Sequence, residues 1–356
     1  MPDDLIIQSH KGPYTARFDT GFLASGAPVS AEGVHVLVDA RIADLYAGPL
    51  ADLLSLPTTI RIEATEHAKA IQQVVPVIQT LVDNRIRRDQ RLIAIGGGVV
   101  QDITCFIAST LLRGVEWRFV PTTLLAQADS CIGSKSSINL GATKNILGTF
   151  YPPREVIIDT AFLDTLDPVD VRSGIGEILK VHAIAGREAY DGLAAEFDKL
   201  TTDRAVLLRF IRESLVIKRR YIELDEFDVG PRNIFNYGHS FGHAIEAATA
   251  FAVPHGIAVT MGMEIANRIA TERGILTADQ HQRMRPPLRA NYEPFATQPL
   301  AADAVLDALT RDKKNTATEL GLILPTGDDA AIERVYIAPD ATFRAQLAAA
   351  IESLPA

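Results

Sequence analysis

The sequence predicts an α/β protein with an N-terminal Rossmann-like domain, residues 1–165, built on a mostly parallel sheet and followed by a mainly α-helical domain, residues 166–356. Two observations predict this class. Short β-branched runs alternate with helical patterns up to about residue 165, and long helical segments dominate from about Asp167 onwards. Strands that alternate with helices are typical of a parallel sheet with helices on its faces.

Runs of β-branched and other apolar residues carry the strand predictions. They are VHVLVD (34–39), TTIRIE (58–63), RLIAI (91–95), WRFVP (117–121) and EVIID (155–159), with GLILP (321–325) and ERVYI (333–337) in the second half. Helical periodicity predicts helices over residues 66–82 and 203–222.

The apolar stretch from Leu92 to Leu112 is long enough to span a bilayer. Three glycines interrupt it, and Gln101 and Asp102 lie at its middle. Because an acidic side chain at mid-bilayer depth is costly, the stretch predicts a buried strand, a tight turn and a buried helix.

Composition excludes several classes of protein. The formal net charge of -9 argues against a general nucleic-acid binder, which needs a basic face. The two cysteines, Cys105 and Cys131, fit a reducing compartment, so we expect a cytoplasmic protein. The first ten residues do not have the pattern of a secretory signal peptide.

The turn Gly96–Gly98 follows a predicted strand and precedes a predicted helix. Such a turn lets a pyrophosphate approach backbone N–H groups at a helix N-terminus. It is not a GxGxxG fingerprint, and a simple strand-to-helix turn remains an equal alternative. Asp39, at the end of its strand, is a candidate ribose or adenosine contact or, alternatively, a helix N-cap.

The stretch from Val120 to Pro153 is unusual for a loop because charged groups stand among small residues. It contains Asp129, Lys135, Lys144 and Asn145, and Arg113 lies just upstream. Small residues permit close backbone approach, and lysines supply charge for a phosphate. The alternative is a solvated loop with surface lysines.

Glu177 and Lys180 share one face of a helix that is otherwise apolar. A buried pair of this kind is either a structural ion pair or a metal ligand beside a substrate contact. Lys218 also lies on an apolar helical face, where an ammonium either reaches the surface or meets an anion in a cleft.

Three of the eight histidines, His239, His243 and His255, fall within seventeen residues. His239 and His243 have the i, i+4 spacing of a helical metal site, but Ser240 replaces the glutamate that an HExxH protease requires. Imidazoles with one carboxylate form a catalytic zinc shell with an open position. The cluster therefore favours a metal site, and hydrogen-bonded core histidines are the alternative.

These segments together resemble the 3-dehydroquinate synthase family of sugar-phosphate cyclases, in order from Asp39 to about Pro325. The segments that carry the resemblance are GGGVVQD (96–102), LLRG (111–114), VPTTLLAQADS (120–130), GSKSSIN (133–139), KNILGTFYPP (144–153), GEILK (176–180), IK (217–218), RNIFNYGHSFGHAIE (232–246), HG (255–256) and DKKN (312–315). So many matched segments in the same order make a specific signal.

The resemblance implies roles for matching residues. The metal ligands are expected to be Glu177, His239 and His255. The NAD contacts are expected to be Asp39, Glu66, Lys69, Gly96, Gly97, Gly98, Asp102, Thr122, Thr123, Phe162 and Thr165. The substrate and catalytic residues are expected to be Asp129, Lys135, Lys144, Asn145, Lys180, Lys218, Arg232, Asn236, His243 and one or both of Lys313 and Lys314, with Arg113 donated across a dimer interface.

The resemblance also implies the cofactors and the chemistry. NAD and a divalent metal, usually zinc with cobalt as an alternative, would support transient oxidation, phosphate elimination, reduction and intramolecular aldol closure. The partners would be a small anionic sugar phosphate and a second copy of the chain, with neither nucleic acid nor membrane. The expected substrate is 3-deoxy-arabino-heptulosonate 7-phosphate, whose carboxylate would face Lys218 and Arg232.

The chain departs from the family pattern at several positions. Ser134, Ser136 and Ser137 alter the GGKTGVN segment, and Gln101, Tyr237 and Ile257 replace the usual glycine, leucine and glutamate. A cyclase for another sugar phosphate, of the sedoheptulose 7-phosphate or glucose 6-phosphate type, therefore remains an alternative. A metal-dependent polyol dehydrogenase and a non-catalytic binding protein are further alternatives, although the many cationic residues favour a cyclase.

Overall fold

The computed structural model describes residues 4–28, 32–141, 143–311 and 315–355. The chain forms two compact units: unit 1 comprises Met1–Leu166 with Arg219–Asp228, and unit 2 comprises Asp167–Lys218 with Val229–Ala356. The sequence did not indicate that the segment after Lys218 would join unit 1. The division into an NAD-binding domain, residues 1–165, and a metal- and substrate-binding domain, residues 166–356, stays a prediction.

The main sheet of unit 1 has seven strands in the order β1-β2-β9-β6-β5-β3-β4. Its strands are β1 (Leu5–Ile7), β2 (Tyr14–Phe18), β3 (Val34–Asp39), β4 (Thr59–Ile62), β5 (Arg91–Gly96), β6 (Glu116–Pro121) and β9 (Glu155–Ile158). Only the β1–β2 pair is antiparallel; the other neighbouring pairs in this sheet are parallel. The predicted α/β class is confirmed.

Strand order reverses between β3 and β5, because β4 lies on one side of β3 while β5, β6 and β9 follow on the other. The carboxyl ends of these strands are in register, with Val38 opposite Ile95 and Gly96 opposite Pro121. In open parallel sheets, ligands bind outside the carboxyl ends of the strands where the order reverses. The fold of unit 1 thus presents a binding edge of this kind.

Helices cover the sheet, and buried strand residues such as Val36, Val38, Ile93 and Ile95 form much of its core. The helices of unit 1 are α1 (Ala40–Leu45), α2 (Ala51–Leu54), α3 (Ile71–Asp83) and α4 (Gly98–Thr110). The apolar stretch from Leu92 to Leu112 becomes β5, a glycine turn and α4, as expected. Within the described residues, no helix has the length and apolar character to cross a membrane.

Two local predictions need correction. The segment 66–82 is not one helix, because Ala70 is extended (φ -64°, ψ 135°) between a 3-10 turn, Glu66–Lys69, and α3. The stretch after β6 is not a loop throughout: β7 (Lys135–Leu140) and β8 (Thr143–Phe150) form an antiparallel hairpin. Their polar residues and many exposed side chains hide the alternation that usually indicates strands.

Unit 2 is mainly helical. Its helices are α5 (Pro168–Ala185), α6 (Arg187–Ala195), most of α7 (Arg204–Leu224), α8 (His239–Ala248), α9 (His255–Glu272), α10 (Ala278–Tyr292), α11 (Ala302–Thr310) and α12 (Ala341–Glu352). The segments GLILP and ERVYI form strands as predicted, within β10 (Leu320–Thr326) and β11 (Ala331–Ile337), and the structure pairs the two strands antiparallel in a separate sheet. Helix α9 is largely buried among its neighbours.

Candidate active site

Glycines allow α5 and α9 of unit 2 to pack with their backbones almost in contact. A Cβ atom on Gly176 would lie 2.2 Å from the carbonyl oxygen of Gly256, and one on Gly256 would lie 1.9 Å from the carbonyl oxygen of Ser173. Because no side chain fits such gaps, both positions require glycine. Glu177 and His255, the chain neighbours of these glycines, are thereby brought together.

A second close approach joins α8 to α9. A Cβ atom on Gly262 would lie 2.2 Å from the carbonyl oxygen of Gly238, and one on Gly242 would lie 3.0 Å from Val259. Gly238 also has a left-handed φ of 76°, which glycine adopts without strain. His239 and His243 each follow one of these glycines in the chain.

The three histidines form one cluster. A ring nitrogen from each of His239, His243 and His255 lies within 4.8 Å of the others. Oε1 of Glu177 lies 3.7 Å from Nε2 of His239 and 3.4 Å from Nε2 of His255. Tetrahedral ligands bound to zinc at about 2.0–2.1 Å have donor atoms roughly 3.3–3.4 Å apart, so these spacings fit one ion.

Outer hydrogen bonds orient the imidazoles. Nδ1 of His239 lies 3.3 Å from the carbonyl oxygen of Tyr237, and Nδ1 of His255 lies 3.2 Å from Oε2 of Glu246. Since a carbonyl only accepts, Nδ1 of His239 carries the proton and Nε2 keeps its lone pair for a metal. The sequence did not identify Tyr237 or Glu246, although Glu246 lies three residues beyond His243 on the same helix.

Buried acidic and basic side chains interact closely around the histidine cluster. Lys180 donates a hydrogen bond to Oε2 of Glu177, and both side chains are almost fully buried. Burial lowers the pKa of His255, but Glu177 and Glu246 outweigh burial and raise the pKa to about 10. The carboxylates of Glu177 and Glu246 thus favour a cation at the histidines, whether a proton or a metal ion.

Three further predicted substrate residues of unit 2, all cationic, are also buried. Arg232 and Lys218 are each 7% exposed, and Lys180 is 2% exposed with Nζ 5.7 Å from the ring centre of Phe235. Asn236 donates through Nδ2 to the carbonyl of Asn233, 2.9 Å away. Lys313 and Lys314, also predicted to contact substrate, lie outside the described residues.

In unit 1, the predicted NAD contacts lie at the carboxyl edge of the parallel strands. Asp39 ends β3 and Gly96 ends β5, while Thr122 and Thr123 directly follow β6. Glu66 follows β4, and Phe162 and Thr165 follow β9. The fold therefore gathers residues from five separate strand ends at one edge.

Asp39 caps α1, where its Oδ1 accepts a hydrogen bond of 2.9 Å from the backbone of Arg41. Burial raises the pKa of this carboxyl. At the glycine turn, a Cβ on Gly96 would meet Val100 at 2.7 Å and one on Gly97 would meet Thr123 at 2.9 Å. A Cβ on Gly98 would instead enter open space, so the protein's own packing does not explain that glycine.

Buried hydroxyl and aromatic groups complete this edge. Oγ1 of Thr122 is buried and has no hydrogen-bond partner among the described residues. The ring of Phe162 is 1% exposed and packs edge-on against Tyr46, whose hydroxyl lies 2.9 Å from Oγ1 of Thr165. The side chain of Phe162 thus belongs to the core, and its carbonyl oxygen accepts a hydrogen bond from the hydroxyl of Tyr46, 3.2 Å away.

Lys69 is the centre of a polar network beside this edge. Its Nζ lies 2.8 Å from Oδ2 of Asp102 and 2.8 Å from Oδ1 of Asn145. Asn139 connects Glu66 to Asn145 in this network. Its Nδ2 donates to Oε1 of Glu66, 2.8 Å away, and its Oδ1 accepts a hydrogen bond of 2.8 Å from the backbone N–H of Asn145. Burial raises the pKa of Asp102, and the charge of Lys69 opposes that rise.

Most of the remaining predicted residues of unit 1 have exposed side chains, and two of them have a left-handed backbone conformation. Nζ of Lys135 pairs with Oδ2 of Asp228 at 2.6 Å, and Lys144 is exposed on the same hairpin. Asn145 has a φ of 52°, and the exposed Arg113 has a φ of 66°. Asp129, by contrast, is 9% exposed in a short π-helical turn, Ala126–Ser130.

Comparisons with known proteins cover both units. Residues 59–173 match the family described as 3-dehydroquinate synthase N-terminal, and residues 174–315 match 3-dehydroquinate synthase C-terminal. The chain is 37% identical to the 3-dehydroquinate synthase of Geobacter metallireducens over 300 residues, 83% of each chain. It is 32% identical to that of Alkaliphilus metalliredigens over 349 residues, 96% of this chain and 98% of the relative.

One solved structure is similar along nearly the whole chain. It is 2-epi-5-epi-valiolone synthase from Streptomyces hygroscopicus subsp. jinggangensis with NAD+ and Zn2+ bound, 27% identical, with a TM-score of 0.81 and 96% of each chain covered. The two family matches together span residues 59–315, and the curated relatives extend the similarity beyond them. The chain belongs to the 3-dehydroquinate synthase family.

Proposed function

We propose that this enzyme is a 3-dehydroquinate synthase, a lyase of the shikimate pathway of aromatic amino acid biosynthesis. It converts 3-deoxy-arabino-heptulosonate 7-phosphate to 3-dehydroquinate and phosphate. The observation that carries the proposal is similarity along the whole length: 32% identity over 98% of the Alkaliphilus 3-dehydroquinate synthase.

Glu177, His239 and His255 would hold a divalent metal ion, with zinc preferred and cobalt as an alternative. The donor set supports this, because two imidazoles and one carboxylate leave a tetrahedral site with an open position. When bound, the ion supplies a Lewis acid for a substrate hydroxyl and NAD supplies transient oxidation. Lys180 binds one oxygen of Glu177 and so turns the other oxygen towards His239 and His255.

NAD would bind at the carboxyl edge of the sheet in unit 1. Gly96 ends β5, Gly97 is the N-cap of α4 and Gly98 is its first residue, so the helix N-terminus with its backbone N–H groups lies at that edge. Open space beside Gly98 and the buried hydroxyl of Thr122 both fit a ligand that approaches the backbone closely. Asp39, Glu66, Lys69, Asp102 and Thr123 would complete the contacts.

The substrate would be an anionic sugar phosphate, and its carboxylate would pair with Lys218 and Arg232. Both cations are 7% exposed, and a charge-assisted pair between such a cation and a carboxylate is strong. An uncharged sugar head would not form that pair. Asp129, Lys135, Lys144, Asn145, Lys180, Asn236, His243, Lys313 and Lys314 would contact the rest of the substrate, with Arg113 supplied by a second copy in a homodimer.

A cyclase for another sugar phosphate is the second candidate. The similarity to 2-epi-5-epi-valiolone synthase and the unusual Ser134, Ser136 and Ser137 favour it. Identity to that enzyme is 27%, however, against 37% and 32% to the two 3-dehydroquinate synthases. The balance therefore supports 3-dehydroquinate synthesis.

The test is phosphate release from a panel of sugar phosphates with purified protein, NAD and zinc. We expect release from heptulosonate 7-phosphate without net NADH. Arg232→Ala should weaken substrate binding by roughly 2–5 kcal/mol, the range for breaking a buried charge pair, whereas Arg268→Ala, at a partly exposed position on α9, should not. Turnover of an uncharged-head sugar phosphate alone would refute the substrate assignment, and stoichiometric NADH would indicate a dehydrogenase.

A further inference from the structure

Tyr237 connects the histidine cluster to the interior of α9. Its carbonyl oxygen lies 3.3 Å from Nδ1 of His239, and its side chain is fully buried. Its hydroxyl donates a hydrogen bond to Oδ1 of Asn267, which lies on α9, the helix that begins with His255. Tyr237 thus contacts the predicted metal ligand His239 through its backbone, and through its side chain it contacts α9, the helix that carries His255.

Asn267 depends on this contact. Its side chain is 0% exposed, and among the described residues Tyr237 is its only side-chain hydrogen-bond partner. Nδ2 of this amide has no partner among the described residues, so the bond from Tyr237 to Oδ1 is what holds the buried side chain in position, and its loss would leave the whole amide unpaired.

The next residue reinforces the attachment. A Cβ on Gly238 would lie 2.5 Å from the carbonyl oxygen of Val259 and 2.6 Å from Cγ of Met263, so the backbone before His239 lies directly against α9. With the peptide of Gly238 and the ring of Tyr237 both fixed on α9, the carbonyl that orients His239 has little freedom to rotate.

We propose that Tyr237 and Asn267 are positioning residues for the metal site: their hydrogen bond fixes the carbonyl that holds His239 in register with His255. The inference rests on the proposed metal site. Neither residue would touch substrate or metal, so both act through His239. Removing the hydroxyl keeps the carbonyl but frees it to move, which should loosen the imidazole and weaken metal binding about tenfold, the low end of the effect of losing an outer partner outright.

The experiment is a Co2+ titration of the metal-free full-length protein, followed by the visible d–d absorption of the bound ion. Tyr237→Phe and Asn267→Leu should each bind Co2+ about tenfold more weakly than the wild type, with an altered spectrum. Tyr237→Phe leaves the amide of Asn267 without its donor, and Asn267→Leu leaves the buried hydroxyl of Tyr237 without its acceptor. The double variant has neither group, so its thermal stability should recover relative to the single variants while Co2+ affinity stays low.

Tyr190→Phe is the matched control. Tyr190 is 1% exposed and its hydroxyl donates to the carbonyl of Met284, 2.7 Å away on α10, so the same atom is lost from an equally buried ring. It should lower stability and leave Co2+ affinity unchanged. Wild-type affinity and spectrum in Tyr237→Phe would overturn this inference alone. No Co2+ binding by the wild type would overturn the metal site and the inference together.

Discussion

Nδ1 of His255 lies 3.2 Å from Oε2 of Glu246, a carboxylate on the neighbouring helix α8. The other ring nitrogen, Nε2, lies 3.4 Å from Oε1 of Glu177 on α5. His255 is therefore held between two carboxylates, one of which is a predicted metal ligand. The second carboxylate fixes the ring and makes its nitrogen a better donor to a metal.

Glu246→Gln should weaken metal affinity about 10- to 100-fold, because the amide is neutral and no longer draws the proton of Nδ1 towards it. Competition with a chromogenic chelator measures the affinity. Glu293→Gln, on a side chain that is 69% exposed, is the control and should bind metal as the wild type does. If Glu246→Gln binds metal as tightly as Glu293→Gln does, Glu246 does not contribute to the metal site.

Metal content of single histidine variants decides which imidazoles bind the ion. His239→Ala and His255→Ala should each purify without stoichiometric metal, whereas His243→Ala should retain it and lose activity. The reason is that Nε2 of both predicted ligands lies near Oε1 of Glu177, while His243 is exposed beside them. Metal lost from His243→Ala but kept by His255→Ala would contradict the ligand assignment.

Lys69→Met should lower the free energy of unfolding by about 1–3 kcal/mol near neutral pH, since it leaves the half-buried carboxylate of Asp102 without its cation. Burial already raises the pKa of Asp102, and loss of Lys69 raises it further. The folded variant then binds a proton more readily than the unfolded chain, so the stability deficit should shrink as pH falls towards about 4.

Urea unfolding at several pH values measures this deficit. Arg268→Met breaks an exposed pair with Glu272, 3.0 Å apart, and should cost about 0.5 kcal/mol or less. A deficit in Lys69→Met that grows on acidification, or that equals the control, would contradict the role of this pair.

Arg113 is predicted to serve the site of a second copy. Arg113→Ala and Lys180→Ala chains should each be inactive as homodimers, but mixing them after mild dissociation should restore part of the activity, because one site of a mixed dimer has both residues. Light scattering during the assay gives the oligomeric state. A fully active monomer would contradict the prediction, as would a mixture that stays inactive although subunits exchange.

The sequence by itself determined the elements whose signal is local. Val34–Asp39 and Arg91–Gly96 became strands, and the i, i+4 spacing of His239 and His243 placed both on one helix. These patterns need only neighbouring residues, because strand and helix periodicity act over a few positions. The sequence did not predict the hairpin formed by β7 and β8, because β7 buries polar residues such as Ser136 and Asn139 and β8 is mostly exposed, so neither strand shows the usual apolar alternation.

Only the tertiary structure decided which distant residues meet. The contact of Tyr237 with Asn267 spans thirty positions, and that of His255 with Glu246 crosses between two helices. No local periodicity encodes such pairs. They depend on how closely α5, α8 and α9 approach, and that distance is fixed where Gly176, Gly256 and Gly262 have no side chain to hold the backbones apart.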